Sequence, residues 1–283
     1  MSWWRYCTII HMRIIKADGT EEEFNADKLR SSLQKAGATD EEISNIVSNI
    51  ERSLKDGMHT HKIYQKAFKL LHSDSGITAA KYSLRRAVFN LGPTGFPFED
   101  FLARIFEAEG YTIKKRVFVQ GKCATHELDL AAYSKTKSFI AEAKFHSHPG
   151  IKSDLQVALY SYARFIDLKS AHICPEDMCG ITSLFLVTNT KFTRTAEKYA
   201  ECSGIELLSW THPRGDSLHD KIERLGLYPI TVLTHLSMAQ KRALISSGVL
   251  LCSDLAKNPE ILDKIHVSKK KKSLVRDQIS KLC

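Results

Sequence analysis

No stretch of the 283-residue chain approaches the roughly 20 consecutive apolar residues that cross a bilayer, and the opening MSWWRYCTIIHM lacks the long apolar core of a secretory signal. A cytoplasmic protein without a membrane partner is the expectation. Cysteine is sparse: seven residues, Cys7, Cys123, Cys174, Cys179, Cys202, Cys252 and Cys283, are scattered without a framework, which suits a reducing compartment. HICPEDMC brings His172, Cys174 and Cys179 close together in sequence. A structural zinc site needs a second ligand pair, and none stands at a suitable spacing, so this segment reads as a loop with small thiols. There is no Gly-x4-Gly-Lys-Ser/Thr loop, which argues against an ATP-hydrolysing motor.

What is abundant is positive charge. Lys and Arg number 41 against 32 Asp and Glu, giving a net charge of +9 and a pI near 9.1, so an anionic partner is favoured. SKKKKSLVRDQISKLC concentrates that charge near the C-terminus in Lys269 to Lys272, Arg276 and Lys281. Such a run suits phosphate contacts, and equally a solvated tail.

Met12 opens the first recognisable pattern, so residues 1–12 are read as an arm or an upstream-start artefact. RIIKADGTEEEF places an Asp18-Gly19 turn between two extended arms. NADKLRSSLQKAG predicts a helix from near Asn25 to Gly37, and Thr39 with Glu42 has capping-box spacing for the next. Thr60 is expected to cap a third helix through Leu71. Thr78 should cap a fourth, AAKYSLRRAVFNL, with Tyr82, Leu84, Val88 and Leu91 on its apolar face.

LGPTGFP, with Gly92, Pro93, Gly95 and Pro97, marks a domain boundary. Beyond it Phe98, Phe101, Leu102, Ile105 and Phe106 form one helix face, stopped at Gly110. Strands are expected at Lys115 to Val119, His126 to Tyr133 and Ser138 to Phe145. A helix at about Ser153 to Leu168 follows, then the strand SLFLVTN, a helix capped near Thr193, and the strand IELLSW. This order predicts an α/β (α+β) fold whose mixed sheet carries helices on both faces. Residues 213–283 read as short helices with turns at Gly248 and near Pro259, ending in the basic run.

The stretch HELDLAAYSKTKSFIAEAKFH raises the chemical question. Side chains alternate along a strand, so Leu128 and Leu130 share one face and Glu127 and Asp129 the other. In the next strand Phe139, Ala141, Ala143 and Phe145 oppose Glu142 and Lys144. If the strands pair, Asp129, Glu142 and Lys144 converge. Two carboxylates about 5 Å apart repel by roughly 3 kcal/mol at an effective dielectric near 20, which a divalent cation relieves. Carboxylate oxygens suit Mg²⁺, which can bind a phosphate oxygen and acidify a water, while an adjacent lysine stabilises developing charge. By spacing alone, an ordinary hairpin with a solvated face carries the same alternation.

FPFEDFLARIFEAEGY, HELDLAAY, FIAEAKFH, DLQVALYSYARFID and LFLVTNTKFTRTAEKYAECSGIELLSW together resemble the Mrr-type branch of the PD-(D/E)xK restriction-endonuclease-like nucleases, over residues 96–212. The resemblance implies an αβββαβ core and a site of Asp129, Glu142, Lys144 and Glu99, with Asp129 and Glu142 holding Mg²⁺ or Mn²⁺. Gln156 falls where many members place a polar site residue. Leu128 stands in place of the motif's proline, and His146 and His148 read as part of a polar loop.

IIKADGTEEEFNADKLRSSLQKAG, GMHTHKIY and AAKYSLRRAVFNLG are similar to the ATP-cone, a regulatory nucleotide-binding domain, over residues 13–92. The resemblance implies that Lys16, Glu22, Asn25, Lys28 and Thr60 hold ATP or dATP. Ala17 replaces the arginine of the family's turn, which removes a phosphate contact.

Together these imply a metal-dependent DNA endonuclease, hydrolysing phosphodiester bonds under control of a nucleotide effector, with self-association left open. The rival is a noncatalytic nucleotide-responsive DNA-binding regulator on a nuclease-like scaffold. An RNA or tRNA nuclease would use the same site.

Overall fold

Asp18 accepts hydrogen bonds from the Thr20 amide (3.1 Å) and hydroxyl (2.6 Å), and Gly19 takes φ 81°, closing an antiparallel hairpin of β1 (Arg13–Ile15) and β2 (Glu21–Glu23). A computed structural model describes residues 12–174 and 180–283, so the expected N-terminal arm and Cys179 lie outside the described residues. Two units divide at Ser83 and Leu84. In the first, Asn25 caps α1 (Ala26–Lys35), its side chain accepting from the Asp27 and Lys28 amides. Thr39 and Glu42 make the expected capping box of α2 (Asp40–Ser53). Next come β3 (Met58–His59), parallel to β1, then α3 (Thr60–Asp74) and α4 (Gly76–Tyr82). Leu33, Val47, Ile50, Ala67 and Leu71 are buried at the centre of this unit.

Two helix starts differ from expectation. Thr60 is the first residue of α3 rather than its cap, and Ser75, not Thr78, caps α4. The helix expected over AAKYSLRRAVFNL breaks at Ser83 into α4 and α5 (Leu84–Phe89). The Ser83 hydroxyl bonds the Ala80 carbonyl at 2.8 Å, competing with continuation of the helix.

The second unit opens with α5, which the Thr231 hydroxyl ties to a 3₁₀ turn at Ile230–Val232 through the Ala87 carbonyl (2.7 Å). Helix α6 (Phe96–Ala108) leads into β4 (Thr112–Gln120), β5 (Thr125–Tyr133) and β6 (Ser138–Lys144). After β7 (Lys152–Ser153) come α7 (Leu155–Asp167), β8 (Ser183–Thr188), β9 (Lys191–Phe192), α8 (Arg194–Ser203) and β10 (Glu206–Leu208). Strands β10, β8, β6, β5 and β4 form one mixed sheet in that order, parallel from β10 to β6 and antiparallel from β6 to β4, while β7 and β9 pair separately. This is the expected α/β (α+β) architecture. On one face Phe106 of α6 packs edge-on against Phe139 and Phe185. On the other, Ala158 and Phe165 of α7 and Ala196 and Ala200 of α8 cover Ile140, Leu184 and Leu186.

The chain continues through α9 (Leu218–Leu225), α10 (Met238–Ser246), α11 (Cys252–Lys257), α12 (Ile261–Lys264) and α13 (Lys269–Leu282). The lysine run therefore opens a helix rather than a loose tail. Val275, Gln278, Ile279 and Leu282, a 3-4-7 stripe, bury one side of α13. In the HICPEDMC segment Cys174 is disulfide-bonded, correcting its reading as a free thiol.

Candidate functional site

Arg116, Asp129 and Glu142 lie in one row across β4, β5 and β6, and the ladders lapse there. The β4–β5 register pairs Lys115 with Leu130 and Val117 with Leu128 but skips the pair between them, and β5–β6 pairing ends at Leu130 and Ala141. Asp129 fills the gap with its side chain, Oδ2 accepting from the Ala143 amide at 2.7 Å. The break also alters the expected alternation. Leu128 packs in the same core cluster as Ala131 and Ile140, so it does not share a face with Leu130 as regular alternation requires.

Glu142 is buried on the face covered by α7, and both its oxygens are engaged. Oε1 accepts from Lys144 Nζ (2.9 Å) and the Tyr160 hydroxyl (3.1 Å), and Oε2 pairs with Arg164. The Tyr160 ring lies 5.3 Å from Lys144 Nζ and 5.8 Å from Arg164 Cζ. From the first turn of α6, buried Glu99 pairs with Arg116 at 3.1 Å; a Cβ at Gly95 would stand 3.4 Å from Glu99 Oε1, so glycine leaves this carboxylate room. Asp129, Glu142, Lys144 and Glu99 are thus brought to one end of the sheet. Gln156 is exposed on the first turn of α7, one turn from Tyr160, and its backbone amide bonds the Asp154 cap.

Electrostatics mark Asp129 as the crowded group. Burial, then the negative charges of Glu142 and Glu99, raise its pKa to about 6, against the Ala143 bond and Lys144, which lower it. Burial raises Glu99 too, with Arg116 opposing. Lys144 loses hydration by burial, but its bonds to Tyr160 and Glu142 hold it above the usual lysine range. Burial and Lys144 lower the His146 pKa, and its Nε2 lies 3.0 Å from the Ser153 hydroxyl, as a member of a polar loop.

Like-charged oxygen donors of this kind fit a hard divalent cation. Among the described residues no group of three or more His, Cys, Asp or Glu is placed to hold a metal. Asp129 and Glu142 would therefore supply two ligands, leaving water, carbonyl or phosphate oxygens to complete the shell, as Mg²⁺ ordinarily permits. Arg116, Tyr160 and Arg164 were not read from the sequence. Tyr160 and Arg164 could have been, since they follow Gln156 at steps of four on a predicted helix; the reach of Arg116 has no local sequence signal.

In the first unit a cavity of about 180 Å³ is lined by Glu22, Asn25, Lys28 and Thr60, with Tyr64 and Tyr82 on its wall. Four of the five expected nucleotide residues meet there. The fifth, Lys16, reaches Glu22 instead: Oε2 lies 2.9 Å from Lys16 Nζ and 3.0 Å from Lys28 Nζ, and the two ammonium groups lower the Glu22 pKa. Two cations gathered on one carboxylate form a place where phosphates can compete for the lysines. Tyr64 and Tyr82 stack at 5.2 Å and 9°, a feature their separation in sequence concealed.

Comparison with known proteins accounts for both ends of the chain. A family model described as the ATP cone domain matches residues 12–88, and one described as AF1548-like, C-terminal, matches residues 228–283. An uncharacterized protein of Archaeoglobus fulgidus is 36% identical over 171 residues, which is 60% of this chain and 92% of that protein. The crystal structure of a protein of unknown function, AF1548, superposes with a TM-score of 0.54 at 33% identity, covering 67% of this chain and 98% of that one. The N-terminal unit is accordingly an ATP cone, a module for nucleotide-binding regulation.

Proposed function

This chain belongs to the AF1548-like family, and from that premise we propose that it is a metal-dependent DNA endonuclease of the Mrr-like, PD-(D/E)xK kind, controlled by ATP or dATP at its ATP cone. One observation carries the reading: Asp129 and Glu142 stand in one row at the point where the sheet opens, with Lys144 paired to Glu142. Asp129 and Glu142 would hold Mg²⁺ or Mn²⁺, which when bound supplies Lewis-acid polarisation of the phosphate and a more acidic water. Lys144 stays protonated through Glu142 and Tyr160, and so offers positive charge to the phosphorane oxygens as the P–O bond breaks. Arg164 and Tyr160 fix the Glu142 carboxylate from α7.

The rival reading has its own support. Every oxygen of Glu142 already has an internal partner, as a noncatalytic regulator's scaffold would. Plasmid cleavage with Mg²⁺, Mn²⁺ or EDTA, with and without ATP and dATP, decides between them. Cleavage that needs the divalent ion and is lost in Asp129→Asn supports the nuclease. Activity surviving both EDTA and Asp129→Asn removes the site, and no cleavage in any condition favours the regulator. Running structured RNA beside the plasmid identifies the nucleic acid.

A further inference from the structure

Arg116 sits in the middle of β4 with φ 50°, and among the described residues only one other non-glycine, His266, has a positive φ. Side chains avoid this region because the Cβ crowds the backbone, and in a nine-residue strand the conformation also forfeits the ladder pairing opposite Asp129. A strained residue that gives up sheet hydrogen bonds points to a use for its side chain. The guanidinium spans two acids in the first turn of α6, Glu99 at 3.1 Å and Asp100 at 2.9 Å, and lies 5.6 Å from the Phe96 ring. Lys115 also pairs with Asp100, at 2.7 Å, so Asp100 is neutralised without Arg116. Glu99 is buried, and Arg116 is the cation bonded to it.

We infer that Arg116 is a positioning residue of the candidate site: the break in β4 turns its guanidinium onto α6, where it fixes Glu99 beside Asp129 at the open end of the sheet. This rests on the nuclease reading above. It extends that reading by assigning the strained backbone and the β4 cation a task that the Asp129, Glu142 and Lys144 constellation does not contain. The fork geometry matters because one planar group must meet two carboxylates at once, which a lysine ammonium does less well.

Glycine separates a structural role from this one, since it adopts φ 50° freely and removes the guanidinium. Full-length wild type, Arg116→Gly, Arg116→Lys, Glu99→Gln and Arg116→Gly/Glu99→Gln are compared for plasmid cleavage in Mg²⁺ and for thermal unfolding in EDTA. The expected melting temperature is at or above wild type for Arg116→Gly/Glu99→Gln, in which glycine relieves the strained φ and no buried carboxylate is left unpaired, and lower for Arg116→Gly alone. The kcat of Arg116→Gly should fall by about a hundredfold, the scale of a misplaced catalytic group, with KM for DNA within about twofold. Arg116→Lys should recover part of kcat, and the double variant should be no slower than Glu99→Gln alone. Wild-type kcat in Arg116→Gly, a double-variant melting temperature well below wild type, or additive losses in the double variant each overturn the inference while the nuclease reading stands. If the wild type itself cleaves nothing under any metal or nucleotide condition, both fall together.

Discussion

The Asp129 carboxylate accepts the Ala143 amide at 2.7 Å where β5 and β6 stop pairing. One side chain thus closes a backbone gap and lies near enough to Glu142 for that carboxylate's charge to raise its pKa. The two tasks separate by substitution. Asp129→Asn retains an oxygen for the amide and relieves the crowding that raises Asp129 to about 6, so it should fold at least as stably as wild type at pH 7.5. Asp129→Ala leaves the amide unsatisfied and should cost about 1–3 kcal/mol in urea unfolding. Both should lose Mg²⁺-dependent cleavage by at least about a hundredfold. An Asn variant that cuts like wild type removes Asp129 from the chemistry.

The ATP cone yields a prediction in the gain direction. Ala17 is exposed beside the Asp18-Gly19 turn, next to Lys16. Ala17→Arg restores a donor fork near the two lysines that now share Glu22. One charge-assisted contact contributes about 1.5 kcal/mol, so ATP affinity measured by calorimetry should tighten about tenfold. Unchanged or weaker binding would show that the nucleotide's phosphates do not pass this turn.

Much of the frame was legible because it depends on local rules. The Asn25 cap, the Thr39 and Glu42 box, and the sheet strands around Asp129 and Glu142 follow from nearest-neighbour chemistry and strand periodicity. The departures arise where tertiary contacts win. Ser83 ends α4, and α5 joins the Thr231 turn far along the chain. Leu128 leaves the face of Leu130 because the sheet opens at Asp129. Arg116 was invisible for a like reason, since a positive φ at a non-glycine in a strand has no local signature.

Lys241 gives a pH prediction away from either site. Its ammonium is buried and donates to the Thr231 carbonyl at 2.8 Å; burial, aided by Arg86 and opposed by Cys252, lowers its pKa to about 8. A lysine whose pKa is depressed by folding binds its proton more weakly in the native state, so stability rises with pH between about 8 and 10.5. Relative to Lys241→Met, in which this group cannot titrate, wild type should gain up to about 3 kcal/mol between pH 7 and pH 10.5 in chemical unfolding. A flat difference across that window would mean that Lys241 titrates as it does in the unfolded chain.

Lys269, Lys270 and Lys271 are exposed at the start of α13, whereas Lys272 pairs with Asp263. Cations at a helix N-terminus oppose the macrodipole, so their placement weakens α13, a cost that an anion bound from outside would offset. Each lysine that neutralises a DNA phosphate adds about 0.9 to the slope of log affinity against log salt. Replacing the three with Gln should therefore flatten that slope by about 3 and weaken binding by a similar factor for unrelated DNA sequences. The buried stripe of Val275, Ile279 and Leu282 keeps α13 docked in the variant, so its melting temperature should not fall. An unchanged slope would assign DNA contact to another part of the surface and leave these lysines as solvated charge.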